Sequence, residues 1–149
     1  MQKLQLAELY RVTEFAELGV GLRTLVKKFS PNKTSDFMGL YVIHDEGNPI
    51  YVGISRKVIN RIRQHVSGIN DNDASLAFKM ANHLHGVKGK RKSLMADDHF
   101  RTKFEQMKTR IRTMSVRFVQ VDNDTELYLL EVFAAMKLDT SKWNTFRTH

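Results

Sequence analysis

The spacing of apolar and polar residues changes near the middle of the chain. Residues 37–44 and 50–54 are rich in β-forming side chains, and residues 45–49 between them carry the glycine and proline of a turn. From Val58 onward apolar residues recur at helical spacing, and Ser55 is a plausible N-cap. The pattern predicts a β-hairpin followed directly by a helix. The apolar face of that helix consists of Val58, Ile59, Ile62 and Val66.

Helical spacing also predicts most of the remaining elements. Helices are expected over residues 3–18, 22–29 and 74–84, from Asp97 to about Met114, and over 125–138, with a strand over 115–121. The positions assigned to the core are Leu4, Leu6, Leu9, Val12, Phe15, Ala16 and Leu18, then Leu76, Ala77, Met80, Ala81 and Leu84, then Phe100, Phe104, Met107, Ile111 and Met114, and finally Val116, Phe118 and either Val119 or Val121.

These elements predict an α/β fold with a small central sheet flanked by helices. Three strands are expected in the sheet, two from the hairpin and one from residues 115–121. We expect one domain over residues 1–149, made of an N-terminal arm (1–38) and a core (39–144) that includes a basic helical insertion (71–114).

The arm has two interpretations. A helix, a break at Gly19 and Gly21, and a second helix are the parts of a DNA-reading helix-turn-helix. However, Glu14 and Lys28 occupy positions where that motif usually has apolar residues. This favours an arm that packs against the core or mediates a homodimer.

Composition limits the class of protein. The chain has 149 residues, 42% hydrophobic and 27% charged, which is normal for a globular domain that folds without disulfides or metals. It contains no run of about 18 apolar residues, and its first ten residues lack the apolar centre of a signal peptide. The absence of cysteine excludes disulfides and thiolate metal sites. We therefore expect a cytoplasmic protein with no membrane partner.

The net charge of +8 is concentrated in one segment. Residues 71–117 hold eleven Lys and Arg against five Asp and Glu, which suggests a phosphate-facing surface, although a basic solvated surface has the same composition. Within this segment residues 87–93 are interpreted either as a mobile phosphate clamp or as a solvated loop. The nearby histidines His83, His85 and His99 lack the spacing and further ligands of a zinc site, so DNA contact or plain surface is favoured for them.

Four reactive side chains are expected to converge at the hairpin. Tyr41 and Tyr51 lie on its two neighbouring strands, and Arg61 and His65 are four residues apart, hence on one face of the following helix. Two phenols, a guanidinium and an imidazole are more chemistry than packing alone requires.

A fifth candidate is Glu131, the one charged residue between Leu127 and Met136. It belongs to the stripe that otherwise faces the core, and an unpaired buried carboxylate is costly. Either a metal ion or an ion pair with Arg61 or another cation would compensate it. A single carboxylate completed by water suits Mg²⁺, and Mn²⁺ should substitute. With no second acidic cluster, a two-metal mechanism is disfavoured.

The triplets Gly39-Leu40-Tyr41 and Tyr51-Val52-Gly53 resemble the signature of the GIY-YIG nuclease superfamily, with Leu40 and Val52 as apolar middle residues. The resemblance covers residues 39–144. The catalytic set that it implies is Tyr41, Tyr51, Arg61, His65, Glu131 and Asn144.

The resemblance also implies roles. Tyr41 would take the proton of the attacking water, but a free phenol, with a pKa of about 10, is a poor base at neutral pH, so His65 would accept the Tyr41 proton in turn. Arg61 would stabilise charge on the phosphate and Glu131 would hold Mg²⁺. Tyr51 would hydrogen-bond or orient, and Asn144 would fix backbone or substrate. Gly39 and Gly53 fit where a side chain would block the approach of strands or substrate.

The function implied is that of a metal-dependent DNA endonuclease of compact stand-alone or restriction type, because no separate DNA-recognition domain follows. We expect it to act on double-stranded DNA, cutting one strand per site and two by dimerisation, without a small-molecule cofactor. The alternatives are a catalytically inactive nucleic-acid-binding module on the same scaffold and an RNA-directed nuclease. The proposed nucleic-acid contacts are Arg56, Lys57, Arg63, Lys88, Lys90, Arg91, Lys92, Arg101, Lys108 and Arg112.

Overall fold

A four-stranded antiparallel sheet organises the chain in the computed structural model, which describes residues 1–86 and 88–146. The described elements are α1 (Gln2–Leu6), β1 (Tyr10–Arg11), a 3₁₀ turn (Val12–Phe15), α2 (Leu22–Phe29), β2 (Gly39–Asp45), β3 (Asn48–Ser55), α3 (Val58–Ser67), α4 (Ser75–His85), α5 (Arg91–Ala96), α6 (Asp98–Arg112), β4 (Ser115–Gln120) and α7 (Asp124–Lys137). The strand order is β1-β4-β2-β3. The α/β class is as predicted, but the sheet has four strands rather than three.

The predicted hairpin is confirmed, with a shorter turn. Glu46 and Gly47 alone connect the strands, with φ of 49° and 83°, the left-handed values that a two-residue hairpin turn prefers. Pro49 does not stop the pairing as its position in the predicted turn suggested. It lies opposite His44, where the register shifts by a bulge, a place in a strand that tolerates a missing N–H.

The predicted helix over residues 3–18 is wrong beyond Leu6. Tyr10 and Arg11 instead pair with Val116 and Ser115 of β4, and the following turn buries Phe15, whose ring stacks on Phe29 at 4.0 Å. Leu18, assigned to the core, is 97% exposed. Without a first helix of sufficient length, the helix-turn-helix interpretation fails. The arm packs against the chain's own sheet.

Each face of the sheet is covered by helices. Tyr41 and Ile43 of β2 point into a cluster formed with α2, α3, α4 and α6, whereas Leu40 and Val42 point into a second cluster with α7. On β4, Val116 belongs to the first cluster, while Val119 and Val121 both belong to the second. The edge strand β3 therefore lies between α3 on one side and α7 on the other, and this edge positions the site.

The insertion is more helical than predicted. Helix α5 begins at Arg91, inside the segment interpreted as a loop, and is anchored by the buried Leu94; Val87 of that segment lies outside the described residues. Helix α4 follows the prediction within one residue, but Leu84 is 55% exposed rather than inward. The predicted start of α6 is confirmed, because Asp97 caps it by accepting a hydrogen bond from the Phe100 amide at 3.2 Å.

Helix α7 matches its predicted bounds within one residue, and Asn123 caps it by accepting from the Glu126 amide at 2.9 Å. Leu127 and Ala134 are buried against the sheet, whereas Leu129 and Phe133 on the opposite face are exposed. Within the described ranges, no helix combines the length and the apolar character needed to cross a membrane.

Candidate active site

The hairpin register brings the first tyrosine across the second triplet. Tyr41 lies opposite Gly53, and Tyr51 lies opposite Ile43, so both phenols leave the same face of the sheet. A Cβ at Gly53 would lie 2.2 Å from Tyr41 Cζ, and one at Gly39 would lie 2.3 Å from the Val119 carbonyl oxygen. Gly53 therefore makes room for the Tyr41 ring and Gly39 for the neighbouring strand. A side chain at either position would block this close approach.

Helix α3 supplies the imidazole partner of Tyr41. Tyr41 Oη and His65 Nε2 are 2.5 Å apart, and both side chains are fully buried. The Tyr51 ring completes the cluster, at 6.2 Å from the Tyr41 ring and 5.6 Å from the His65 ring. The predicted convergence of these three groups on one side of the sheet is thus present.

The start of α3 is fixed by Asp36 rather than by Ser55. The amides of Ile59 and Asn60 donate to the two Asp36 carboxylate oxygens at 3.0 and 2.8 Å. Ser55 accepts instead from the Lys57 amide at 3.0 Å, one residue before the helix begins. Asp36 was missed by sequence reasoning because it caps a helix that begins after the whole hairpin.

Arg61 is held by the loop that precedes α4. Its guanidinium donates to the carbonyl oxygens of Asn72 and Asp73 at 2.9 and 3.1 Å, and to Ser75 Oγ at 2.9 Å. The close approach of this loop to α3 requires Gly68, where a Cβ would lie 2.5 Å from the Asp73 Cβ. The insertion therefore orients the Arg61 side chain of α3.

Burial sets the protonation of the central pair. It raises the pKa of Tyr41 well above its usual value, with the Tyr51 charge adding and Arg61 opposing. It lowers the pKa of His65 to about 3, and the positive charges of Arg61 and Lys79 add to this effect. At neutral pH, His65 is therefore neutral and Tyr41 is a phenol. A stepwise transfer of the Tyr41 proton to His65 is therefore unfavourable in this site.

The tautomer of His65 follows from its other nitrogen. Nδ1 is buried and has no hydrogen-bond partner in the described part of the chain. For Tyr41 to donate to Nε2, the imidazole proton must lie on Nδ1. The pair then leaves the second lone pair of the Tyr41 oxygen available to a further donor, such as water.

Glu131 reaches the same place from the other face of the sheet. Its half-buried carboxylate is close enough to raise the pKa of both Tyr41 and Tyr51. Burial raises the pKa of Glu131 itself, and Lys79 opposes this rise. The structure shows no ion pair of Glu131 with Arg61 or any other cation among the described residues.

The chemistry of this donor fits a hard divalent cation. Among the described residues, no group of three or more His, Cys, Asp and Glu side chains could enclose a metal ion. A single half-buried carboxylate without an ion pair can still bind Mg²⁺, which keeps most of its water ligands and takes few from protein.

Asn144 fixes backbone, one of the two roles considered for it. The Val52 amide donates to Asn144 Oδ1 at 2.8 Å, and Asn144 Nδ2 donates to the Val52 carbonyl at 2.7 Å. The side chain thus pairs with the free edge of β3 as a further strand would. It also holds residues 140–146 beside Tyr51.

Lys79 of α4 was missed by the sequence analysis. Its ammonium donates to the Trp143 carbonyl at 2.9 Å and lies 5.7 Å from the centroid of the Tyr51 ring. The available signal was that Lys79 is the one charge in an otherwise apolar stretch, residues 76–81, as Glu131 is in α7.

The proposed nucleic-acid contacts occupy different environments. Arg63 is half-buried, whereas the exposed ones are Arg56, Lys57, Lys88, Lys90, Arg91, Lys92, Arg101 and Arg112. Arg56 pairs with Asp124 at 3.3 Å and Arg91 with Asp71 at 3.2 Å. Lys108 is only 7% exposed, and its ammonium contacts Glu105 at 3.2 Å. Its burial weighs against a phosphate contact.

Comparison with solved structures finds the GIY-YIG N-terminal endonuclease domain of UvrC from Thermotoga maritima. Its magnesium-bound form is 16% identical and the match covers 74% of this chain and 86% of that chain, with a TM-score of 0.41. A point mutant bound to the catalytic divalent cation is 15% identical, covering 75% and 87%, with a TM-score of 0.41. No curated protein matches the chain.

The family comparison covers more than half of the chain. The GIY-YIG catalytic domain matches residues 37–138, a range that holds both triplets, Arg61, His65 and Glu131; Asn144 lies beyond it. Within this range the structure brings the two tyrosines and the histidine together, and Arg61 lies close enough to oppose the rise in the pKa of Tyr41. The chain therefore belongs to the GIY-YIG family, as its two triplets indicated.

Proposed function

We propose that this protein is a metal-dependent endonuclease that hydrolyses phosphodiester bonds in DNA. One observation carries the proposal: the buried Tyr41–His65 pair, with Oη and Nε2 2.5 Å apart, lies within electrostatic reach of both Arg61 and Glu131. A base, a cation for the phosphate and a carboxylate for a metal are the parts that phosphodiester hydrolysis needs.

Tyr41 acts as the base through a relay. Because phenolate formation ahead of the attack is costly, Tyr41 accepts the proton of the attacking water while its own proton moves to His65 Nε2 in the same step. The burial that lowers the pKa of His65 keeps the imidazole neutral, with an unprotonated Nε2 lone pair, although it also weakens that nitrogen as a proton acceptor. Tyr51 orients the pair by packing against both rings.

Arg61 stabilises the charge that develops on the phosphate. Its guanidinium is fixed by two carbonyls and the Ser75 hydroxyl, so little ordering is required when substrate arrives. A guanidinium has five N–H donors, and the remaining ones are available to phosphate oxygens. The rigid support of Arg61 therefore favours a role in charge stabilisation.

Glu131 is the residue that would hold the cation. When bound there, Mg²⁺ would polarise the scissile phosphate and stabilise the leaving 3′ oxygen. Mn²⁺, with similar preference for oxygen ligands, is proposed to substitute. Asn144 positions rather than reacts, because its side chain is committed to the Val52 backbone.

A plasmid-nicking assay tests the proposal. Conversion of supercoiled DNA should require Mg²⁺ or Mn²⁺ and stop with a chelator, and Glu131→Gln should abolish it while DNA binding persists. Glu126→Gln, an exposed residue of the same helix, is the matched control and should cleave normally. Full activity of Glu131→Gln would contradict the assignment. Parallel reactions with single-stranded DNA and RNA define the substrate.

A further inference from the structure

An open cleft lies between α4 and the C-terminal segment, next to the proposed active site. It has a volume of about 270 Å³ and is lined by Lys79, Asn82, His83, Lys142, Trp143 and Thr145. Among the described residues, this lining holds two ammonium groups and no carboxylate. Lys79, which lines the cleft, also lies 5.7 Å from the Tyr51 ring centroid, so the cleft adjoins the proposed catalytic residues.

The groups in the cleft are preorganised. The indole of Trp143 is met by the His83 ring edge-on at 5.6 Å and by the Lys142 ammonium at 5.0 Å from its centroid. The Trp143 carbonyl accepts from Lys79, and the next residue, Asn144, is fixed to β3. These interactions tie the C-terminal segment to both α4 and the sheet edge.

Lys79 has capacity to bind an anion. In the described part of the chain it forms no ion pair, and its ammonium donates to one carbonyl, which leaves two of three N–H groups without a protein acceptor. Burial is the main cause of the lowered pKa of Lys79, repulsion by the nearby Arg91 lowers it further, and the Glu131 charge opposes both. An anion that entered the cleft would relieve this repulsion.

We propose that this cleft is a subsite for a backbone phosphate next to the scissile one, bound by Lys79 and Lys142 with Trp143 as its wall. The inference rests on the proposed nuclease function and extends it to a second point of attachment on the cut strand. It assigns the insertion a role in substrate binding at the active site, in addition to any phosphate binding by its exposed basic residues.

The sole tryptophan of the chain, Trp143, makes the cleft directly observable. The full-length protein is titrated with a fluorescently labelled duplex in chelator, which prevents cleavage, and label anisotropy and tryptophan emission are recorded together. Both signals should change with the same half-saturation point. Inorganic phosphate, titrated separately, should not reproduce the emission change at the same concentrations.

The salt dependence of the anisotropy-derived affinity reports how many phosphates the protein neutralises. For each phosphate of duplex DNA that a variant no longer neutralises, the slope of log affinity against log salt should become shallower by about 0.9. The decrease in affinity between 50 and 200 mM salt should then be about 3.5-fold smaller. Lys142→Ala and Lys79→Ala should each show this shallower slope, whereas Lys79→Arg should largely restore the original slope. The control is Lys27→Ala at an exposed position of α2, which should leave the slope unchanged. If Lys79→Ala unfolds, the surface variant Lys142→Ala decides alone.

The outcomes separate the two proposals. Duplex binding without a change in Trp143 emission, an unchanged salt slope in Lys142→Ala, or an emission change with inorganic phosphate alone would each overturn the subsite and leave the nuclease proposal standing. Absence of duplex binding by anisotropy would instead overturn the proposed function itself.

Discussion

Substitution of Gly53 by alanine should break the hydrogen bond between Tyr41 and His65 without unfolding the domain. The new Cβ would lie 2.2 Å from Tyr41 Cζ and 2.3 Å from Tyr41 Oη, whereas ordinary van der Waals separations begin near 3.4 Å. The Tyr41 ring must therefore retreat by at least about 1 Å, and its 2.5 Å hydrogen bond with His65 cannot survive that displacement. A displacement of about 1 Å at a reacting group costs roughly 10²-fold in rate.

The same substitution should leave the domain folded, because its cost is smaller than the total stability of an ordinary domain. Overpacking of this kind typically destabilises by about 1–3 kcal/mol, which for a domain of this size lowers Tm by about 2–12 °C. Gly21→Ala is the control, since no atom lies within 4 Å of its Cβ and its φ is −71°. It should retain full nicking activity, with a decrease of at most about 1 kcal/mol in stability from the N-cap of α2.

A second background isolates the cause. In Tyr41→Phe, which should already nick about 10²-fold more slowly, adding Gly53→Ala should bring little further decrease in rate, because the group that it displaces has been removed. Initial nicking rates and thermal unfolding of the four variants settle the matter. Equal decreases in rate in both backgrounds, or an active Gly53→Ala, would refute the claim that this glycine acts through Tyr41.

Buried and charged groups elsewhere in the chain give three further predictions. The pKa of His65 is about 3 in the folded state and near 6.5 in the unfolded state, so the unfolded state binds more protons below pH 6.5. The free energy of unfolding, measured with urea, should therefore fall by about 2 kcal/mol between pH 6.5 and 4.5. The variant His65→Gln should lack this pH-dependent component. Asn144→Ala should lower the unfolding free energy by about 1–3 kcal/mol, since it leaves the buried Val52 amide and carbonyl unpaired. Replacing Lys88, Lys90, Arg91 and Lys92 with alanine should weaken duplex binding uniformly across sequences, with turnover at saturating DNA little changed. The slope of log affinity against log salt should become shallower by about 0.9 for each phosphate that is no longer neutralised. An unchanged slope would show that these residues do not contact DNA phosphates.

The local spacing of apolar residues was sufficient to predict a helix or strand wherever that element buries an apolar stripe of its own. Helices α2, α3, α6 and α7 and the hairpin obey this condition, and their predicted bounds differ from the observed ones by one or two residues. Strand β1 does not, because Tyr10 is held by Val116, more than a hundred positions away in sequence. Helix spacing in residues 3–18 reflected burial against a distant strand, which no local window can represent.

The candidate site divides in the same way. The two triplets, Arg61 and His65 lie within 27 consecutive residues, and their order alone placed them on a hairpin and the next helix. The residues that hold them in place come from elsewhere: Asp36 caps α3 from before the hairpin, and Ser75 fixes Arg61 from the insertion. Supporting interactions of this kind depend on tertiary structure, and neither residue stands out from its sequence neighbours.

Lys79 and Glu131 show that one signal for such residues does exist in sequence. Each is a lone charge within an apolar helical stretch, where burial without compensation is expensive. Two such charges of opposite sign could have compensated each other, and each does stabilise the charged form of the other. Yet the described structure joins them by no ion pair, although both reach the edge of β3. A direct ion pair would offset part of the cost of burying these two charges. Their separation fits the proposed site, in which a cation at Glu131 and a phosphate at Lys79 would enter between the two charges.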